Sequence, residues 1–227
     1  MRPPLRAFLN ALPLFTLAVT VVLLASHAVH VLLPNLAPDA YACIAWPVAV
    51  SQPHRLITSV LLHVNLAHVT LNVLAVLALA PPLETAVGTV GVAALTAAVW
   101  ALSEAMYLAY EAASGSRECA MGFSGVGFGL WVYHATRFNV QHVEVYPGVS
   151  VSSRTVPWLA MALVQVAMPH VSLASHVCGA LAGLLLCAAP VPSATRVDAL
   201  ALGPRFLPCP PPQPSPPSSD GYRLGSV

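Results

Sequence analysis

Charge is what this chain has least of. Only 7% of its 227 residues are charged, and lysine is absent, so all nine basic residues are arginine. A soluble domain carries about 25% charged residues because its surface must be hydrated. The shortage excludes an ordinary water-facing globule. With 57% hydrophobic residues and a mean hydropathy of +0.76, much of the surface is directed to a bilayer instead. A net charge of +1 in a membrane core leaves no basic face for nucleic acid. The five cysteines, Cys43, Cys119, Cys178, Cys187 and Cys209, form no CxxC or other metal-ligand spacing, and the nine histidines form no HExxH. No metal and no cofactor is expected. Internal repeats and paired intramembrane charges, the marks of a transporter or channel, are missing as well.

What the chain does have is apolar runs. A helix needs about 20 apolar residues to cross the hydrocarbon core. Six candidate spans follow: Phe8 to Leu33, Thr58 to Ala80, Val87 to Tyr110, Phe123 to Phe138, Val156 to Met168 and Ser175 to Val191. Pro81-Pro82 are expected to end the second by removing donors and clashing with the preceding turn. The predicted fold class is all-α, a polytopic bundle of six transmembrane helices over residues 8–191. A cytosolic N-terminus of residues 1–7 precedes it, and a Pro/Ser-rich disordered cytosolic tail of residues 192–227 follows. The tail is read as plain solvated chain rather than a ligand for a Pro-binding module. The start of the chain also fits a cleaved signal peptide, with Ala25-Ser26-His27-Ala28 as a cleavage site. Apolar character continues to Leu33, which is long for a signal, so a retained helix is expected.

Arginine placement orients the bundle. With the N-terminus in the cytosol and six spans, Arg2, Arg6, Arg137, Arg154, Arg196, Arg205 and Arg223 fall on the cytosolic side, and Arg55 and Arg117 outside. Cys43 and Cys119 then share the external side, where they either form a disulfide or remain two free thiols.

Polar side chains inside a membrane are costly, and three clusters stand out. His63, Asn65, His68 and Asn72 lie on the second span, with His68 and Asn72 four apart and so stacked on one face. Gly122-Phe123-Ser124-Gly125 opens the fourth span, and Ser175-His176 opens the sixth. Spans two, four and six all run from outside to inside, so the three clusters converge at one depth. The chemistry such a site supports is acyl transfer. A serine hydroxyl becomes nucleophilic when a neighbouring base takes its proton, a role suited to histidine. Ser124 is the candidate nucleophile and His176 its base. The Ser124 backbone N–H, Asn72 and His68 are the candidate donors to the oxyanion. No acidic residue is placed beside His176, which makes the arrangement a dyad. Gly125, Gly127 and Gly129 on the fourth span, and Gly179 and Gly183 on the sixth, are expected to permit close helix approach.

Three stretches together resemble the rhomboid family: HVNLAHVTLNVLAVLALAPPLETAVG, which places His68, Asn72, Glu84 and Gly88; GFSGVGFGL around Ser124; and SHVCGALAG around His176. Order, spacing and topology agree over about residues 55 to 190. The stretch ECAMGFSGV resembles the secretory-pathway, endoplasmic-reticulum branch. The resemblance implies an intramembrane serine endopeptidase that cleaves transmembrane protein substrates. It implies a multi-pass endomembrane (ER/Golgi) location with both termini cytosolic, and leaves the oligomeric state open. The alternative is a catalytically inactive rhomboid-like adaptor that binds membrane clients for trafficking or degradation. Inactive members usually lack the dyad, whereas both residues stand here. By the same resemblance Gly122 keeps the serine's surroundings open, and Phe128 takes the place of a tyrosine packed on the catalytic histidine. His54-Arg55 departs from the family's Trp-Arg pair, and Pro81-Pro82 replaces a glycine common before the glutamate. Glu84 and Arg55 are read as structural anchors.

Overall fold

The computed structural model describes residues 12–33, 43–116, 118–138 and 142–189. The expected N-terminal segment, Arg117, the Pro/Ser-rich tail and Cys209 lie outside these residues. Among the described residues three helices are long and apolar enough to cross a membrane: α1 (Leu14–Leu32), then, past two short helices, α4 (Leu66–Val87) and α5 (Thr89–Ser114). The short helices are α2 (Trp46–Ser51) and α3 (Arg55–Leu61). Downstream come α6 (Ser124–Arg137), α7 (Val156–Ala167) and α8 (Leu173–Leu186). Only 22%, 33% and 28% of the most apolar windows of α1, α4 and α5 are buried within the protein. In water the remainder would be an apolar surface far larger than soluble monomers tolerate, whereas against lipid it costs nothing. The chain is an integral membrane protein.

Two buried glutamates tie the ends of these helices. A helix start leaves its first N–H groups without carbonyl partners. At α1 they are met by Glu84 of α4, whose carboxylate accepts from Phe15 N at 2.8 Å, Thr16 N at 2.9 Å and the Thr16 hydroxyl at 3.0 Å. The Thr89 hydroxyl, at the start of α5, donates to the same carboxylate at 2.7 Å. Glu84 thereby fastens three helices at one end of the bundle. At the other end Glu111, also buried, accepts from Trp46 N, Glu118 N and the Tyr107 hydroxyl, each at 3.1 Å.

Four sequence expectations are corrected. Pro81 and Pro82 do not end the second span; they lie inside α4, which continues to Val87. Proline's φ is compatible with a helix, and its penalty is the lost N–H and ring crowding. Here the following turn is held from outside by the Glu84 contacts, and the Thr85 hydroxyl donates to the Pro81 carbonyl at 2.8 Å. The run from Thr58 to Ala80 is not one helix either. It breaks at residues 62–65, where extended Asn65 caps α4 by accepting from His68 N at 2.9 Å. The fold is not purely helical, since an antiparallel hairpin, β1 (His142–Tyr146) and β2 (Val149–Ser152), links α6 to α7. Its turn is Pro147-Gly148, with Gly148 at φ 78°, the left-handed conformation that favours glycine. The fourth correction concerns Gly127 and follows with the helix contact it was assigned to.

The most extensive helix contact is between α6 and α8. A Cβ on Gly179 would overlap the Gly125 carbonyl, and one on Gly183 would overlap the Gly129 carbonyl. Backbone therefore packs on backbone, as small residues allow. Gly127 takes no part: a Cβ there meets nothing within 4 Å, because Gly127 lines a cavity.

Candidate active site

Ser124 is the first residue of α6 and His176 lies one turn into α8, so the glycine-lined contact of these helices determines their separation. Ser124 Oγ and His176 Nε2 are 2.8 Å apart. For the serine to donate, Nε2 must be the unprotonated ring nitrogen. Nδ1 then carries the proton, and it has no partner among the described residues. Among the described residues no carboxylate orients the ring. Packing does so: His176 is buried, and the Phe128 ring lies against it with centroids 4.9 Å apart.

His68 and Asn72 come down one face of α4 and line the same cavity as Ser124 and His176. One Asn72 Nδ2–H donates to the His68 carbonyl at 2.9 Å, which fixes the amide on the helix and leaves its second N–H for another acceptor. Among the described residues the buried His68 Nδ1 has no hydrogen-bond partner. Gly122 has φ 104°, and a Cβ there would come within 2.7 Å of the His68 ring and 3.3 Å of His63. Only glycine suits both the backbone and the space.

One contributor, Ser59, escapes the sequence reading. Ser59 supplies a carbonyl that accepts from Gly122 N at 2.7 Å. His63, in the break before α4, accepts from Phe123 N through Nε2 at 3.4 Å while Nδ1 faces the Leu61 carbonyl at 3.2 Å. His63 belongs to the polar cluster expected on the second span, and it is fully buried. Cys43 and Cys119 are joined by a disulfide, which settles the alternative the sequence left open.

The cavity beside the serine holds about 170 Å³ and is almost entirely apolar. Leu71, Ala75 and Leu79 of α4 line it, as do Ala160, Val164 and Met168 at α7. Such a space has room for part of an apolar chain, beside a hydroxyl, an imidazole and a helix N-terminus. Among the described residues no group of three histidine, cysteine or acidic side chains is placed to hold a metal ion.

Comparison with known proteins adds a lineage. A family model described as the Rhomboid domain matches residues 50–192. Rhomboid-like protein 15 of Arabidopsis thaliana is 29% identical over 142 residues, 58% of this chain and 35% of that protein. Rhomboid-like protein 14, mitochondrial, of the same plant is 30% identical over 141 residues, 58% of this chain and 41% of that protein. The chain thus matches well under half the length of either relative.

Proposed function

We propose, from the premise that this chain belongs to the rhomboid family, that it is an intramembrane serine endopeptidase working through a Ser124–His176 dyad. The observation that carries this reading is the 2.8 Å approach of Ser124 Oγ to His176 Nε2 at the rim of an apolar cavity. His176 takes the hydroxyl proton as Ser124 attacks the scissile carbonyl, then returns it to the leaving amine. The oxyanion meets the Ser124 N–H at the start of α6, aided by that helix's dipole, with the free Asn72 N–H and His68 as further donors. A water then hydrolyses the acyl-enzyme by the same proton relay. The substrate is a transmembrane protein whose apolar segment enters between α4 and α7.

Six spans complete the proposal: α1, α4, α5, α6, α7 and α8. Helix α6, of 14 residues, is only about 21 Å long at 1.5 Å per residue, short of a hydrocarbon core of about 30 Å. Its first residue therefore begins below the membrane surface, where water is scarce and fixed dipoles act strongly. Disulfides persist in oxidising compartments, so Cys43–Cys119 supports a non-cytosolic side for the serine end of the bundle. That agrees with the arginine distribution, and with both termini in the cytosol of an endomembrane compartment.

The test is reaction of the detergent-purified full chain with a fluorophosphonate serine probe, comparing wild type, Ser124→Ala and His176→Ala. Labelling that needs both residues is expected. A folded wild type that stays unlabelled would refute the protease and leave client binding by an inactive adaptor.

A further inference from the structure

The segment that delivers the nucleophile is tethered at nearly every residue. Glu118 N donates to Glu111 Oε1 at 3.1 Å, and the Glu118 carbonyl is 3.0 Å from the Tyr107 hydroxyl. That single hydroxyl proton is shared with Glu111 Oε1, also 3.1 Å away. Cys119 is bonded to Cys43. Ala120 exchanges backbone hydrogen bonds with Ile44, at 3.0 and 3.4 Å. Gly122 and Phe123 donate to the Ser59 carbonyl and the His63 ring, and Ser124 comes next. The partner strand is itself anchored: Arg55 Nη1 donates to the Cys43 carbonyl at 3.0 Å, and Trp46 N to Glu111 Oε2 at 3.1 Å.

One link runs the other way. The Ser172 hydroxyl donates to Glu118 Oε2 at 2.9 Å, and the same Ser172 caps α8 by accepting from Ser175 N at 3.3 Å. Ser172 stands four residues before His176, one helical turn. Glu118 therefore belongs to the segment that leads to the nucleophile and touches the cap of the helix that carries its base.

We propose that Glu118 is a positioning residue of the dyad, and that Cys43–Cys119 and Glu111 form with it a clamp setting the reactive distance between Ser124 and His176. Neither glutamate touches the reacting atoms. Each acts by holding one end of the 2.8 Å contact in register with the other. A displacement of about 1 Å in a reacting pair can lower a rate a hundredfold, so the clamp acts on rate as well as on folding. Opening the disulfide releases Cys119, five residues before Ser124, which makes the clamp responsive to thiols on the side of the membrane it faces.

The inference rests on the proposed hydrolase activity. The measurement is the labelling rate constant with the fluorophosphonate probe, taken well below each protein's unfolding temperature, which is determined alongside. Oxidised wild type is compared with reductant-treated wild type and with the Cys43→Ser, Glu118→Ala and Glu118→Gln variants. Reduction, Cys43→Ser and Glu118→Ala are expected to slow labelling about tenfold or more. Glu118→Gln retains a side-chain carbonyl for Ser172 and recovers most of the rate. Lowered unfolding temperatures with unchanged labelling rates would overturn the clamp alone, since a merely structural tie does not alter the folded protein's rate. An oxidised wild type that never labels would overturn the hydrolase reading and the clamp with it. The reductant arm uses the native chain, so the test stands even where a variant fails to fold.

Discussion

At the scale of single residues, two kinds of buried polar group behave differently. Among the described residues His68 and His176 each keep a nitrogen without a partner, whereas Glu84 has four donors around it. The two histidines and Asn72 line the cavity, whereas Glu84 holds helices together. Removing them should separate activity from stability. Asn72→Ala deletes a proposed oxyanion donor and should reduce kcat by about 10- to 100-fold with KM nearly unchanged, read from peptide-bond cleavage in liposomes. Glu84→Ala orphans buried N–H and hydroxyl groups at the starts of two helices. It should destabilise the protein by about 2 to 4 kcal/mol, seen as a lower unfolding temperature in detergent. Equal loss of stability in both variants would contradict this division of roles.

At the scale of elements, the α6–α8 contact is the hinge of the site. Any side chain at Gly179 presses on the Gly125 carbonyl, so the helices must separate and carry Ser124 away from His176. Gly179→Ala should therefore abolish labelling by the serine probe and destabilise the protein by about 1 to 3 kcal/mol. Gly127→Leu is the contrasting case. It enters open space, so folding and probe labelling should persist while cleavage of a transmembrane substrate falls, because the new side chain occupies the cavity. Normal cleavage by Gly127→Leu would show that the cavity is not the substrate's path. The break between α3 and α4 matters in the same way, because it places His63 beside Phe123 instead of on a helix face.

At the scale of the whole molecule, the six-span proposal makes a sidedness prediction. Glu144 in the hairpin and Ser116 after α5 should lie on opposite faces of the membrane. In sealed microsomes a membrane-impermeant thiol reagent should modify Glu144→Cys directly and Ser116→Cys only after detergent, each measured against the parent chain. Both positions reacting alike would break the span parity on which the convergence of Ser124, His176 and His68 was argued.

Membrane residence and rhomboid family membership were determined by the sequence alone, because apolar excess, span-length runs and polar triplets at fixed spacing are properties of the chain itself. The candidate residues were named from the same spacing. Which groups meet was a matter for the tertiary structure. Pro81 and Pro82 stay helical because Glu84 is tied to α1 and α5, contacts 68 or 69 residues away in the chain to one partner and five to the other. Gly127 and Gly129 look alike in sequence, yet one lines a cavity and the other meets Val99 and Gly179. Glu111 and Glu118 carry no spacing that marks them in the sequence, and only folding brings Trp46 to Glu111 and Ser172 to Glu118. Local propensity and hydropathy are carried by neighbours in sequence, whereas hydrogen-bond partners and close approach depend on residues far apart, whose meeting the helix packing decides.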